Sequence, residues 1–212
     1  MNGATGEIIR RKARTRAEVA EAIARLSPAR RRAAAIALAE RVAKLECVRR
    51  AATIMAFLSL PTEIDTWPLI RWAWREGKRV AVPRIEPPPV AAAGPCPRDM
   101  VAVVLEMAEA SSASGHPSVR PGTLGILEVP GAAPIAAGEI DVVLAPCMAV
   151  DRKGNRLGKG GGFYDRFLAR KDLTAEVAVI AFHEQVLADV PAAAWDRSVG
   201  LIVTDAETLV VR

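Results

Sequence analysis

Apolar residues first recur at helical spacing: Ile9, Ala13, Ala17, Ala20, Ile23, Ala24 and Leu26 predict an amphipathic helix over residues 8–26. Ser27 and Pro28 then supply an N-cap and a first-turn proline, opening a second helix over about 28–50. Beyond it the period changes. "TIMAFLS" (53–59) is an apolar run of strand length, followed by an acidic loop and a helix over about 66–76 that Gly77 can stop. "RVAVPR" (79–84), "MVAVVLEM" (100–107), "GEIDVVLAP" (138–146), "AEVAVIAF" (175–182) and "GLIVTD" (200–205) read as further strands, and "YDRFLARK" (164–171) as a helix. Strands alternating with helices predict an α/β fold: a mainly parallel sheet between helical layers, with right-handed crossovers and an N-terminal helical pair. In such sheets ligands sit beyond the carboxyl ends of the strands, so the loop after 138–146 is where chemistry is expected.

The remaining stretches read as loops. Residues 86–98 hold Pro87, Pro88, Pro89, Gly94, Pro95 and Pro97, which forbid regular structure, and 108–123 reads as a second loop. A length of 212 residues predicts one domain, with N-terminal helices over about 8–50 and an α/β body over about 51–212. Hydrophobic content of 51% with 25% charged residues excludes a disordered chain. Cys47, Cys96 and Cys147 have no spacing that suits a zinc site or a disulfide framework and read as small apolar residues. No apolar leader precedes a cleavage site and no apolar run approaches the roughly 20 residues of a bilayer span, which predicts a cytoplasmic protein with no membrane partner.

The net charge of +5 is unevenly placed: Arg10, Arg11, Lys12, Arg14, Arg16, Arg25, Arg30, Arg31 and Arg32 crowd the first 32 residues. Such a concentration attracts polyanions, whether a nucleic acid backbone or nucleotide phosphates, and reads equally as a solvated helix face. Aromatic content of 4%, with no stacking residues interleaved among the basic ones, argues against nucleic acid.

"GNRLGKGGGFYDRFLAR" (154–170) concentrates the chemistry. Four of the five residues from Gly158 to Gly162 are glycine, placed between a strand and a helix. That is either a flexible turn or a cradle in which backbone N–H groups approach a phosphate closely. Neither the Walker pattern nor GxGxxG fits it. Arg156 and Lys159 add cations, and Asp165 is either a magnesium ligand or a first-turn acid that complements the helix dipole.

"DRKGNRLGKGGGFYDRFL" (151–168) resembles the RLG-x-G-x-G-[YF]-YD signature of the 5-formyltetrahydrofolate cyclo-ligase family, also called methenyltetrahydrofolate synthetases. "KARTR" (12–16) is similar to the family's K-x-x-[LI]-R element, "FLSLPTEIDT" (57–66) to its strand and folate-site glutamate, and "GKRVAVPR" (77–84) to its next strand. "GILEVP" (125–130) and "DVVLAPCMAVD" (141–151) continue the ordered likeness, which runs over roughly residues 12–205. Three departures stand out: Thr15 replaces Leu or Ile, Val129 separates a Glu-Pro pair, and Trp195 precedes Asp196 where the family has His-Asp.

The resemblance implies ATP- and Mg2+-dependent conversion of 5-formyltetrahydrofolate to 5,10-methenyltetrahydrofolate. It implies ATP contacts from Lys12, Arg16, Arg156, Leu157, Gly158, Lys159, Gly160, Gly161, Gly162, Phe163 and Tyr164, with Lys159, Arg156 and Tyr164 as the catalytic group. Asp165 and Asp196 would hold magnesium, while Leu58, Glu63, Phe163 and Tyr164 would contact the folate, free or polyglutamylated. Taken as residues alone, Glu63 also reads as an exposed loop acid, Phe163 and Tyr164 as helix-face core, and His116 and His183 as surface and strand-end histidines. A small-molecule enzyme acting as a monomer is expected, with a weak homodimer as the alternative. The competing functions are an ATP-binding paralogue with another small substrate and a basic nucleic-acid-binding protein.

Overall fold

The computed structural model describes residues 3–86, 98–107, 118–122, 125–193 and 196–211. Most of the two expected loops, with Cys96, His116 and Trp195, therefore lies outside the described residues.

Helix α1 (Gly3–Ala24) begins upstream of the apolar spacing and buries only Val19 and Ile23 among its described side chains. Helix α2 (Pro28–Ala43) starts where its cap predicts, with Arg30 N donating to Ser27 Oγ at 3.2 Å, and buries Ala34, Ala35, Leu38, Ala39 and Val42. The helix expected to run to residue 50 breaks after Lys44: Leu45 is extended at φ −67°, ψ 132°, and a separate helix α3 (Glu46–Arg50) follows. On an unbroken helix Val48 would point about 120° away from Val42. The break turns Val48 into the core instead, with no exposed surface.

Strand β1 (Thr53–Met55) is shorter than its apolar run, and helix α4 (Trp67–Arg75) and strand β2 (Arg79–Glu86) follow. Next come β3 (Asp99–Val104), β4 (Arg120–Pro121), β5 (Leu127–Glu128), β6 (Pro134–Ile135), β7 (Val142–Ala145), β8 (Ala149–Asp151) and β9 (Arg156–Leu157). Helix α5 (Phe163–Leu168), β10 (Glu176–Ala181), β11 (Val186–Leu187), β12 (Leu201–Thr204) and β13 (Thr208–Val210) complete the described α-helices and strands, and short 3-10 turns lie at Ala137–Glu139 and His183–Gln185.

The main sheet has the order β13-β12-β10-β7-β1-β2-β3-β6. Its central strands pair in parallel, with Ile54 opposite Val80 and Val142, and Val143 opposite Val177; β3, β6 and β13 add antiparallel edges. Alternate side chains serve opposite faces. Val142, Leu144, Ala178 and Ile180 pack with α2, α3 and α4, whereas Val143, Ala145, Val179 and Ala181 pack with Phe167 of α5. Helices thus cover both faces of a mainly parallel sheet, as the alternation of elements predicts. A small second sheet, β11-β8-β9, stands where sequence suggested only a loop; two- and three-residue strands are too short to set up a period.

Candidate functional site

At the carboxyl edge of the sheet, β7 ends in Ala145 and the chain passes through Pro146 and Cys147 into the β8–β9 hairpin, where Met148 N donates to Leu157 O at 2.7 Å. The hairpin presents Arg156 and Leu157 as buried residues directly before the glycine run. The run ends at Gly162, whose left-handed φ of 65° starts α5; a Cβ there would lie 2.8 Å from Arg166 Nη1. Glycine is the residue that adopts this conformation without steric cost.

A cleft of about 1080 Å³ opens beside this run. Helix α1 contributes Lys12 and Arg16, the segment after β1 contributes Leu58 and Glu63, and the hairpin and α5 contribute Arg156 through Asp165, with Asp196 closing one side. Every residue expected at the site therefore lines a single cavity, although the set is drawn from positions 12 to 196.

Six cations line the cleft (Lys12, Arg16, Arg156, Lys159, Arg166 and Arg197) against three carboxylates, Glu63, Asp165 and Asp196. Each carboxylate is matched to one cation. Lys12 Nζ lies 2.5 Å from Asp196 Oδ2, Lys159 Nζ 2.7 Å from Glu63 Oε1, and Arg156 Nη2 pairs with Asp165 Oδ1. Two of the carboxylates are held further by the backbone, with Leu60 N donating to Glu63 Oε2 at 2.8 Å and Ala193 N to Asp196 Oδ2 at 2.6 Å. Arg16 Nε donates to Gly158 O at 2.8 Å, fastening α1 onto the glycine run. Six cations less three carboxylates leave an excess of three positive charges, which suits a polyanionic ligand.

Three buried donors of the cleft, Arg156 Nε, Tyr164 Oη and Arg166 Nε, have no hydrogen-bond partner among the described residues. Such groups are costly when left unsatisfied, so an oxygen-rich ligand would find them ready. Burial pushes the Tyr164 hydroxyl well above its ordinary value, with the Glu63 charge adding to the rise and Arg156, whose Cζ is 6.0 Å from the ring centroid, opposing it. Burial likewise pushes the Cys147 thiol up to about 12. Both remain neutral near pH 7, so the Tyr164 hydroxyl can serve as a hydrogen-bond donor.

No group of three or more His, Cys, Asp and Glu side chains gathers among the described residues. A divalent cation here would draw on Asp165 or Asp196 and complete its shell from phosphate oxygens and water, the coordination habit of magnesium.

Several lining residues escaped the sequence reading. Arg166 donates through Nη1 to Gly161 O at 3.1 Å and through Nη2 to Arg98 O at 2.8 Å, with Cζ 5.2 Å from the Phe163 ring centroid. Ile85, Met100 and Ile126 join Phe57 and Leu58 in an apolar wall, and Arg197 sits beside Asp196. Met100 carries only a strand signal in sequence, Ile85 and Ile126 fall outside the strands read there, and only their shared place in the cleft wall marks the three out. Among the residues assigned other roles, His183 opens a 3-10 turn (His183–Gln185) two residues beyond β10, with Nδ1 3.6 Å from Glu207 Oε1.

Fold and cleft together define an α/β protein with a cation-lined ligand site at the carboxyl edge of a mainly parallel sheet. The chain belongs to the 5-formyltetrahydrofolate cyclo-ligase family, a family of ligases, whose model matches residues 8–205. It is 31% identical over 153 residues to the 5-formyltetrahydrofolate cyclo-ligase of Escherichia coli K12, covering 72% of this chain and 77% of that one. The enzyme of that name from Mus musculus is 25% identical over 193 residues, covering 87% and 88%. The solution structure of Aquifex aeolicus 5,10-methenyltetrahydrofolate synthetase shares the fold with a TM-score of 0.74 at 23% identity, over 95% of this chain and 93% of that one.

Proposed function

We propose that this protein, acting as a monomer and a single cyclo-ligase domain, converts 5-formyltetrahydrofolate to 5,10-methenyltetrahydrofolate with hydrolysis of ATP to ADP and phosphate. The observation that carries this reading is one cleft in which a surplus of three positive charges adjoins an apolar wall and the half-buried carboxylate of Glu63. A polyanion and a flat, hydrogen-bonding ring system fit these two halves. Family membership over residues 8–205 supports the same substrates.

In this reading Lys12, Arg16, Arg156 and Lys159 neutralise the triphosphate, and the amides of residues 158–162 approach its oxygens. Glu63 accepts N–H donors of the pterin, with Leu58 and Phe163 packing against its ring. The obstacle to ring closure is that a formyl oxygen is a poor leaving group. Transfer of the γ-phosphoryl group to that oxygen releases ADP and leaves an iminium phosphate; N10 then attacks the former formyl carbon, a proton departs, and the C–O bond breaks to expel inorganic phosphate. Such transfer depends on alignment and charge neutralisation rather than on a protein nucleophile. Arg156 and Lys159 offset charge on the transferring group, while the neutral Tyr164 hydroxyl orients the formyl oxygen. Asp165 and Asp196 are suited to hold Mg2+, which when bound offsets phosphate charge. Taking up these ligands requires the pairs Lys12–Asp196, Lys159–Glu63 and Arg156–Asp165 to loosen, so the ion pairs stand in for contacts the ligands make.

Purified protein mixed with 5-formyltetrahydrofolate, ATP and magnesium should develop methenyltetrahydrofolate absorbance with release of one ADP per product. Folded protein that produces no absorbance change refutes the proposal, and salt-sensitive RNA or DNA binding without ATP turnover would favour a nucleic-acid role instead.

A further inference from the structure

Asp151 is a carboxylate with no exposed surface, lies outside the cleft lining, and has only amide donors as side-chain hydrogen-bond partners among the described residues. Its Oδ1 accepts from Lys153 N at 2.9 Å and Asn155 N at 3.0 Å, closing the turn that leads into Arg156 and the glycine run. Its Oδ2 accepts from Asn155 Nδ2 at 2.8 Å and, across 39 positions, from Val190 N at 3.1 Å. The same turn makes a second long-range bond, in which Val199 N donates to Gly154 O at 3.0 Å. At Gly154 the φ of +83° and a Cβ position 2.3 Å from Val199 O leave room for glycine alone.

Val190 and Val199 bracket the segment that brings Asp196 and Arg197 to the cleft. We propose that Asp151, together with Gly154, is a positioning residue that clamps both ends of this segment to the turn ahead of the glycine run, and so sets Asp196 against Lys12 on the phosphate side of the cleft. The inference rests on the proposed function. Helix α1 completes the arrangement, because Lys12 pairs with Asp196. Burying a carboxylate is costly unless hydrogen bonds compensate, and four donors from three residues make this one a rigid joint. Asparagine is a poor substitute: it keeps one acceptor oxygen and turns an NH2 group toward N–H donors.

The test is equilibrium binding, by calorimetry, of a non-hydrolysable ATP analogue with magnesium and, separately, of 5-formyltetrahydrofolate. Asp151→Asn should weaken the analogue at least about tenfold and the folate less than about threefold, the split that a general loss of stability would not produce. Val190→Pro deletes one amide donor while leaving the carboxylate, and should reproduce that split; Asn155→Ala, which spares both clamping bonds, should bind the analogue like the wild type. Because Asp151→Asn could fail to fold, amide exchange in Val190→Pro supplies an independent reading: release of one end should speed exchange at Val199. Wild-type protein that binds neither ligand overturns the proposed function. Wild-type binding of both ligands, with folded Val190→Pro showing neither the split nor faster exchange at Val199, overturns the clamp.

Discussion

Lys12 and Glu63 lie 51 positions apart in the chain, and the proposed function assigns them opposite ends of the cleft's chemistry, one toward phosphate and one toward the pterin. Hydrogen bonds to charged groups contribute roughly 1.5–3 kcal/mol, which is on the order of 10- to 100-fold in affinity. Lys12→Ala is therefore expected to raise the KM for ATP by about tenfold or more with little change for the folate, and Glu63→Ala to do the reverse. Steady-state kinetics with each substrate varied in turn decides this, and exchanged phenotypes would invert the site map. Glu63→Ala also leaves Lys159 without its partner at 2.7 Å, so a small effect on ATP accompanies the larger one on folate. Residue types at these positions were readable from sequence through the family likeness. That Lys159 meets Glu63, and Lys12 meets Asp196, was not, because ion pairs between distant segments have no local signature.

At the scale of elements, the helices and long strands follow from apolar period and caps, as α2 after Ser27-Pro28 demonstrates. What sequence missed is short or redirected: the break at Leu45, the β8–β9 hairpin and the edge strand β13. Each is decided by a contact made elsewhere, such as Val48 entering the core or β13 pairing with β12. The basic first helix shows both readings at once. Lys12 and Arg16 face the cleft, whereas Arg14 is exposed and pairs with Glu18 at 2.7 Å on the outside. The start of α5 is more exacting. Gly162→Ala forces a left-handed alanine and crowds Arg166, at a cost of about 1–2 kcal/mol. Thermal unfolding should register that loss, and because Arg166 must leave Gly161 O, ATP affinity should fall with it; an unchanged melting temperature would contradict the strained geometry.

Across the whole molecule, burial of the cleft floor links stability to alkaline pH. Cys147 is pushed from 9.0 to about 12, and Tyr164 rises from 10.0, so the folded protein keeps protons that the unfolded chain releases. Their contribution is fully present below pH 9.0 and declines as pH rises from there toward 12. Urea midpoints measured between pH 8 and 11 should fall, and Cys147→Ala should flatten the decline; parallel slopes for the two proteins would refute the linkage. By itself the sequence determined the α/β class, the helical start and the cation-flanked glycine run, because period, caps and composition are local properties, while its family likeness supplied the expected phosphate and pterin residues. Only the tertiary structure decided which charges pair, which strands of two or three residues form, and how Asp151 and Gly154 hold the Asp196 segment. Those depend on atoms that approach only after the sheet has assembled and brought its carboxyl ends to one edge.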